Sequence, residues 1–257
     1  MTSNITLISD WKQQDPYVSM FKGLLLQRMP EVRILDMTHE VEVMNINQAS
    51  LLQKGAYRNF PQETVHMDLV GVSDSLPGSP IMMKWDGHYF VGQDNGSFPL
   101  MFYEHLSEVE IRQYNGKEDG FLNKVVALGA SCIEGTWEKC TEVLSTYRKL
   151  RPFEANYFAF RNHISGMVVY IDAQSNILTN VPVSMFREAL QSGTFEAMIG
   201  SVKITKFHEH YVRDSEPYFI PNSLGLMEVA TYGGRVALLA RWQKDTSVEI
   251  DFQPKSK

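Results

Sequence analysis

The sequence has little cysteine, no long apolar run and no long basic run. Its 257 residues include two cysteines, Cys132 and Cys140, and no CxxC pair, so a disulfide framework is not expected. No signal peptide is recognisable near Met1, which leads us to expect a cytoplasmic protein. No apolar stretch approaches the length of a membrane span, and neither an internal repeat nor a low-complexity segment is present. We therefore expect no membrane partner.

The overall composition is that of a mildly acidic globular protein. The hydrophobic content is 44%, the formal net charge is -6 and the isoelectric point is about 5.7. A length of 257 residues is enough for one large domain or two ordinary ones with a full core. Without a basic run, nucleic acid is not an expected partner.

The first segment of the chain predicts a strand, an acidic loop and a helix. Ile5 to Ile8 form a short apolar, β-branched run typical of a buried strand, and Asp10 follows it. Asp15 is a predicted N-cap and Pro16 suits the first helical position. An apolar face then recurs at helical spacing, formed by Tyr17, Val18, Met20, Phe21, Leu24 and Leu25. Since ligands bind at the carboxyl ends of strands in open α/β sheets, Asp10 is a candidate ligand residue, with turn capping as the alternative.

Further strands alternate with helices as far as residue 150, which predicts an α/β domain with a largely parallel sheet. The expected strands are Val32 to Asp36 and Thr64 to Val70, followed by a hairpin of Ile81 to Trp85 and Tyr89 to Gly92 that turns at Asp86-Gly87. The expected helices are one capped by Asn45 and then Phe98 to Leu106, Asp119 to Cys132 and Trp137 to Leu150.

The pattern changes near Arg151. Short apolar runs separated by turns follow from Gly166 onward, namely MVVYID, ILTNV, SVKITKF, LMEVA, RVALLA and VEIDF. Such runs predict a smaller all-β, barrel-like or sandwich domain. We place an α/β domain at residues 1–155 and a β domain at residues 164–257, with the boundary inside Arg151 to Ser165.

Several blocks, in order, resemble one family, the S-adenosylmethionine hydroxide adenosyltransferases, which also includes fluorinating and chlorinating enzymes. In the first domain the blocks are LISD with D-x-Y-V-x-x-x-K-G, then ILDMTHEV, FPQETVH and GQDNG. In the second domain they are GMVVYIDAQSNILTNV and NSLGLMEVA. The resemblance covers nearly the whole chain. It implies an α/β domain, a β-barrel-like domain and a homotrimer that binds S-adenosylmethionine, as substrate or ligand, between subunits.

The resemblance also assigns ligand contacts. It implies that Asp10 holds the ribose hydroxyls, a task that suits a carboxylate with two acceptor oxygens. It places Asp172 and Ser223 at the methionine end, where a carboxylate suits the ammonium and a hydroxyl can donate to the ligand carboxylate. Asn176 is expected to contact the adenine edge. Asp94 and Asn95, from the GQDNG block, are possible residues of the ligand cleft; no metal or further cofactor is expected.

The chain departs from the family where the hydrolases activate water. Those members use an Asp and an Arg of a VDPGVGSxRR segment and a His of a later F-H-G-R-D block. The ungapped comparison puts Gly71, Gly78 and Gly116 at these three positions. A shifted comparison offers Asp74 as a replacement acid, and Lys84 is a second candidate. A hydroxide-like nucleophile needs a base or electrostatic partner, which glycine does not supply.

Other positions also differ or allow two interpretations. An aromatic of the halogenating relatives is Met44 here, and a family Phe is Gln174. His208 and His210 share one face if they lie on a strand, which could suit a metal, although a solvated face is the simpler interpretation. Three hypotheses result: an enzyme acting at the ribose C5′ carbon, an inactive sensor of S-adenosylmethionine or adenosine, and a scaffold that keeps only the fold and the trimer.

Overall fold

The computed structural model describes residues 3–191, 193–234, 236–237, 241 and 243–253. The chain divides into two compact units, Met1–Pro152 and Phe153–Lys257, and each is described by itself. Within the described ranges, no helix combines the length and the apolar character that crossing a membrane requires.

The first unit contains a seven-stranded sheet. Its strands are β1 (Asn4–Ser9), β2 (Arg33–Thr38), β3 (Val65–Leu69), β4 (Ile81–Trp85), β5 (His88–Gly92), β6 (Ile111–Tyr114) and β7 (Thr141–Val143), in the order β2-β1-β3-β5-β4-β6-β7. The pairs β1–β2, β1–β3 and β3–β5 are parallel, whereas β4, β6 and β7 add antiparallel pairs. The prediction of a largely parallel α/β layer is confirmed for strands β2, β1, β3 and β5.

The parallel register brings three loops to one edge of the sheet. Ser9 pairs with Leu69, and Asp68 pairs with Gly92, so β1, β3 and β5 end side by side. The residues that follow these strands begin at Asp10, Val70 and Gln93. Side chains from distant parts of the chain can therefore meet there, as is usual at the carboxyl ends of parallel strands.

Four helices cover the first sheet: α1 (Tyr17–Arg28), α2 (Ile46–Ala56), α3 (Ser97–Met101) and α4 (Phe121–Ile133). Asn45 caps α2 as predicted, because its side chain accepts a hydrogen bond from Gln48 N at 3.1 Å. The predicted Asp15 cap of α1 is wrong. Pro16 precedes the first helical residue with helical backbone angles, and no side chain caps this end.

The helix predicted over Trp137 to Leu150 is wrong. A short 3₁₀ turn, Trp137–Cys140, leads into β7, and β7 pairs with β6. Arg112 on β6 donates from Nε to Thr141 Oγ1 at 2.8 Å and from an Nη to Thr141 O at 3.1 Å. These contacts with a strand 29 residues earlier override the local helical pattern.

A row of buried polar side chains crosses three neighbouring strands of the first sheet, β1, β3 and β5. Thr6 Oγ1 is 2.7 Å from His66 Nδ1, and His66 Nε2 is 3.1 Å from His88 Nδ1. The His66 ring also stacks on Phe90 with centroids 5.1 Å apart. Burial, with a smaller contribution from His88, lowers the pKa of His66 to about 3. These partners give His66 a structural task in the core of the first unit.

The buried His66 makes the protein sensitive to acid. The native ring stays neutral down to a pKa of about 3, whereas the unfolded ring binds a proton near pH 6.5. The unfolded state therefore binds more protons as the pH falls through this window, and stability is lost. We expect His66 alone to remove roughly 2–3 kcal/mol between pH 7 and pH 4.5.

Urea unfolding of wild type and of His66→Gln at the two pH values isolates this loss, since contributions of other groups cancel in the difference. The His66→Gln variant is expected to be less stable at pH 7 but to lose less on acidification. His105→Gln is the matched control, because His105 is only partly buried and is bonded to Glu108 at 2.9 Å. Equal losses in wild type and His66→Gln would contradict the expectation.

The second unit is an eight-stranded antiparallel sheet with a nearly barrel-like course. Its strands are β8 (Asn156–Phe158), β9 (His163–Ile171), β10 (Ile177–Pro182), β11 (Thr194–Ile199), β12 (Val202–Ile204), β13 (Tyr218–Pro221), β14 (Leu226–Ala230) and β15 (Ser247–Gln253). Their order is β12-β11-β15-β9-β10-β14-β13, and β8 pairs with β9. The prediction of an all-β, barrel-like fold is confirmed, with one addition, helix α5 (Val183–Leu190).

Phe186 of α5 fills the centre of this second unit. It is fully buried, and its ring contacts the rings of Phe195, Phe207, Phe219 and Phe252 at centroid distances of 5.1–5.7 Å. One amphipathic helix thus closes a core that the strands line. The predicted strand RVALLA, residues 235–240, lies outside the described residues except for Val236 and Ala237, which are both buried.

Candidate functional site

At the carboxyl end of β1, two backbone amides hold the Asp10 side chain. Met44 N donates to Asp10 Oδ2 at 2.8 Å, and Gly71 N lies 3.2 and 3.1 Å from Oδ1 and Oδ2. Asp10 is partly exposed. An ionised carboxylate offers about four acceptor positions, so these amides leave capacity for two more donors. A pair of neighbouring hydroxyl groups has the right chemistry to fill it.

Buried polar side chains hold the Gly71 amide in turn. Asp68 Oδ1 accepts from Val70 N at 3.0 Å, and Asn95 Nδ2 donates to Val70 O at 3.3 Å. Asn95 Oδ1 also accepts from Ser97 N at 2.9 Å. The structure thus brings the predicted residue Asn95 to the same sheet edge as Asp10, where it supports the neighbour of Gly71.

The other predicted cleft residue, Asp94, binds backbone. Asp94 Oδ1 accepts from Arg148 N at 2.9 Å. This bond joins the irregular segment after β7 to the loop that follows β5. Asp94 therefore organises the loops at this edge of the sheet.

Asp68 is a buried carboxyl that the sequence pattern did not single out. It is 1% exposed, and Ser97 Oγ donates to its Oδ2 at 2.6 Å. Burial raises the pKa of Asp68 to about 6, and the charge of Asp10 adds to the rise. The available signal was a single acidic residue inside the apolar strand β3. Its position under the Val70-Gly71 turn makes it part of the support of Asp10.

Asp74, the replacement acid suggested by the sequence, lies at the start of α4. Its Oδ1 accepts from Leu122 N at 3.2 Å, and its backbone oxygen accepts from Phe121 N at 3.3 Å. A carboxylate at a helix N-terminus satisfies free amides and interacts favourably with the helix dipole. These contacts give the exposed Asp74 a structural task.

The structure does not bring Lys84 to the Asp10 edge. Lys84 pairs with Tyr89, which pairs with Val65 at the start of β3. Asp10 follows Ser9, which pairs with Leu69 at the end of β3. Lys84 Nζ instead donates to the Tyr89 hydroxyl at 3.0 Å, and this bond raises the pKa of the lysine.

The three glycines at the water-activating positions also have backbones or surroundings that suit glycine. Gly71 has φ of +70° and Gly78 has φ of +87°, a region that other residues rarely adopt. A Cβ at Gly116 would lie 2.2 Å from the Tyr114 hydroxyl oxygen. The backbone at Gly71 and Gly78 and the packing at Gly116 therefore disfavour a larger side chain at these three positions.

In the second unit, Asp172 organises the turn between β9 and β10. Its Oδ1 accepts from Gln174 N and Asn176 N, both at 2.8 Å, and its Oδ2 accepts from Asn176 Nδ2 at 3.1 Å. Two predicted ligand residues are thus direct neighbours, and Asn176 is 3% exposed. Asp172 Oδ1 already accepts two hydrogen bonds, whereas Oδ2 accepts one and keeps acceptor capacity for a cationic group.

A cavity of about 530 Å³ adjoins this turn. Asn176 lines it together with three aromatic side chains, Tyr211, Tyr218 and Tyr232. The Tyr211 hydroxyl donates to Glu228, which is 8% exposed. An amide beside flat aromatic surfaces is an arrangement suited to a planar, polar-edged group.

The fourth predicted ligand residue, Ser223, lies in the turn between β13 and β14. Its side chain is exposed and is not among the described residues that line the cavity. Asn222 shapes the turn, since its Oδ1 accepts from Leu224 N at 2.6 Å. The structure therefore brings Asp172 and Asn176 into direct contact, and it places Ser223 in a different turn of the same unit.

The two histidines of the H-x-H pattern do not lie on a strand. β12 ends at Ile204, before His208 and His210. Among the residues that the structure describes, no group of three or more His, Cys, Asp or Glu side chains is arranged to hold a metal ion. His208 Nε2 instead lies 3.9 Å from Asp214 Oδ2.

Comparison with known proteins identifies the family. Residues 5–126 match the SAM hydroxide adenosyltransferase N-terminal domain, and residues 166–249 match the C-terminal domain of the same family. The chain belongs to the SAM hydroxide adenosyltransferase family.

Two curated proteins resemble part of the chain. The (R)-S-adenosyl-L-methionine hydrolase of Thermus thermophilus is 28% identical over 98 residues, and that of Methanocaldococcus jannaschii is 32% identical over 102 residues. Each match spans 37% of this chain and 37% of the relative. The match therefore covers little more than a third of the length of these relatives.

Two solved structures share the fold over nearly the full length. An uncharacterized conserved protein from Thermotoga maritima has a TM-score of 0.83 at 24% identity, covering 96% of this chain and 99% of that one. A conserved hypothetical protein from Thermus thermophilus has a TM-score of 0.73 at 19% identity, covering 98% of this chain and 100% of that one. At these identities the likeness concerns the fold alone.

Proposed function

We propose that this protein binds S-adenosylmethionine or a related adenosyl compound. The observation that carries the proposal is the Asp10 carboxylate, which Met44 N and Gly71 N hold at the carboxyl edge of the sheet. Its remaining acceptor capacity suits the two hydroxyls of a ribose. Membership of the SAM hydroxide adenosyltransferase family supports the assignment.

The second unit supplies the other contacts in this proposal. Asn176 offers donor and acceptor atoms to an adenine edge, beside the tyrosines of the cavity. Asp172 binds the ammonium of the methionine end, and Ser223 donates to its carboxylate. The cavity volume of about 530 Å³ falls in the range of small-molecule sites.

The reaction proposed for this site is displacement at the ribose C5′ carbon. A bond forms between the nucleophile and C5′, the C5′–S bond breaks, and its electron pair stays on sulfur as methionine leaves. With water as nucleophile, one proton is released and the products are adenosine and methionine; another small nucleophile gives a 5′-substituted adenosine. A sulfonium is a good leaving group, so alignment and desolvation can carry much of the rate.

A binding protein without catalysis is the second candidate. It is favoured by the glycines at positions 71, 78 and 116 and by the structural task of Asp74 at the start of α4. In this role the protein senses S-adenosylmethionine or adenosine, or forms a trimeric scaffold that the ligand stabilises.

Mass spectrometry of small molecules that copurify with the protein tests the binding proposal, followed by titration with S-adenosylmethionine and adenosine. We expect an adenosyl compound, or measurable heat on titration. Incubation with S-adenosylmethionine then separates the two candidates, because the enzyme releases methionine and the sensor does not. Absence of binding to both compounds would contradict the proposal.

We further propose a homotrimer whose ligand sites are shared between subunits. The reason is that the proposed contacts divide between Asp10 in the first unit and Asp172, Asn176 and Ser223 in the second. A ligand that bridges subunits stabilises the assembly by linkage. Light scattering is expected to give three times the mass of 29.4 kDa, with less dissociation on dilution when adenosine is present. A monomeric mass under both conditions would refute this arrangement.

A further inference from the structure

A series of contacting polar side chains, Ser9, His39, Asp36 and Lys22, holds the segment that carries Asp10. The Ser9 hydroxyl is 2.7 Å from His39 Nδ1, and His39 Nε2 is 3.1 Å from Asp36 Oδ1. Lys22 Nζ lies 2.6 Å from Asp36 Oδ2 at the outer end. Ser9 and His39 are 0% and 4% exposed, so the contact between these two side chains is shielded from water.

The partners of His39 determine where its proton lies. A carboxylate only accepts, so a proton on Nε2 suits the 3.1 Å contact with Asp36, and with this tautomer Nδ1 accepts from the Ser9 hydroxyl. Ser9 Oγ in turn accepts from Trp11 N at 3.3 Å. Burial would raise the pKa of Asp36, but the hydrogen bonds from Lys22 and His39 lower it and keep the carboxyl ionised.

The same segment is held on both sides of Asp10. Lys12 N donates to His39 O at 2.9 Å, and Val41 N donates to Ser9 O at 3.4 Å. Trp11 Nε1 donates to Val72 O at 3.1 Å, next to the Gly71 amide that contacts Asp10. The direction of the Asp10 carboxylate therefore depends on how the Ser9–Trp11 backbone is fixed.

The group has the residue types of a Ser-His-Asp triad but not its working geometry. Ser9 is fully buried and cannot reach a ligand. A nucleophile must contact the reacting carbon, so chemistry at Ser9 is excluded in this conformation. Ser9 instead fixes the backbone next to Asp10: its Oγ accepts from Trp11 N, and its backbone oxygen accepts from Val41 N.

We propose that His39 is a positioning residue which, through Ser9, sets the direction of the Asp10 carboxylate and thereby the selection of ligands with two neighbouring ribose hydroxyls. This inference rests on the proposed contact between Asp10 and ribose. If His39 only stabilised the fold, its replacement would lower stability but would leave the recognition of the ribose hydroxyls unchanged.

Isothermal calorimetry with adenosine and 2′,3′-dideoxyadenosine tests the proposal. Wild type is expected to prefer adenosine by about tenfold or more, because two charge-assisted hydrogen bonds are lost with the dideoxy compound. Ser9→Ala and His39→Gln are each expected to reduce this preference to about a third or less, while binding of dideoxyadenosine changes by less than about twofold. If His39→Gln does not fold, Ser9→Ala carries the test.

Thr6→Val is the matched control, because Thr6 makes the same kind of bond to a buried imidazole on the same strand. It is expected to lower stability and keep the adenosine preference. An unchanged preference in Ser9→Ala, or an equal loss in Thr6→Val, would overturn the role of His39. Failure of wild type to distinguish the two nucleosides would instead contradict the ribose contact itself and remove the basis of the inference.

Discussion

Purified protein is expected to hydrolyse S-adenosylmethionine roughly a hundred- to a thousandfold more slowly than a family hydrolase that carries the Asp, Arg and His. The reason is that Gly71, Gly78 and Gly116 offer no group to activate water at those positions. The three losses need not multiply, since groups that act as a unit are not additive. Chromatographic measurement of adenosine over time, with both proteins at equal concentration, gives the ratio.

A chelator in the same assay separates metal-dependent hydrolysis from metal-independent displacement by water. Turnover at the rate of the intact hydrolase, unchanged by chelator, would show that this chain activates water by other residues. Asp74 is then the first to test, although its carboxylate contacts the start of α4. Lys84 lies level with the start of β3, whereas Asp10 lies at its end, so Lys84 is not expected to contribute.

Restoring the three side chains together is not expected to restore the rate. Gly71→Asp would place a side chain on a backbone with φ of +70°, and Gly116→His would push against the Tyr114 hydroxyl. That hydroxyl donates to Glu118 at 2.6 Å, so a local network would have to move. The backbone at Gly71 and the packing at Gly116 therefore disfavour this triple replacement.

The second large effect concerns Asp10→Ala, which is expected to weaken adenosine binding by about 30- to 700-fold. Two charge-assisted hydrogen bonds to the ribose are worth on the order of 2–4 kcal/mol when they are partly additive. The substitution also leaves the amides of Met44 and Gly71 without their acceptor. Calorimetric titration of wild type and variant with adenosine measures the difference.

Glu31→Ala is the control for Asp10→Ala, since it also removes one acidic group from the first unit. Glu31 is exposed and precedes β2, at the edge opposite Asp10. Its loss changes the net charge equally and is expected to leave adenosine binding within about twofold. Equal affinities of wild type and Asp10→Ala would show that Asp10 does not hold the ligand.

Local signals in the sequence predicted much of the first unit. Asn45 sits before an amphipathic run and caps α2, and Asp86-Gly87 separates two apolar runs that form the β4–β5 hairpin. In each case the decisive interactions span only a few residues, so the sequence contains them directly. The position of Asp10 after the strand of Ile5 to Ile8 was visible for the same reason.

Predictions that depended on distant partners failed or were missed. Trp137 to Leu150 has a helical pattern, yet part of it pairs with β6 as a strand. β11 was not predicted, and its pairing with β15 joins two segments that lie far apart in the sequence. Strand formation depends on such partners more strongly than on the propensity of the strand itself.

The candidate site shows the same division. The sequence by itself determined the two fold classes, the family blocks and the placement of a carboxylate at the end of β1. Only the tertiary structure showed that Asp10 binds amides 34 and 61 residues away, that Asp68 lies buried beneath the second of these, and that His39 is bonded to Ser9. The physical reason is that capping and periodicity act within a few residues, whereas these hydrogen bonds form only after packing of the sheet brings separate strand ends together.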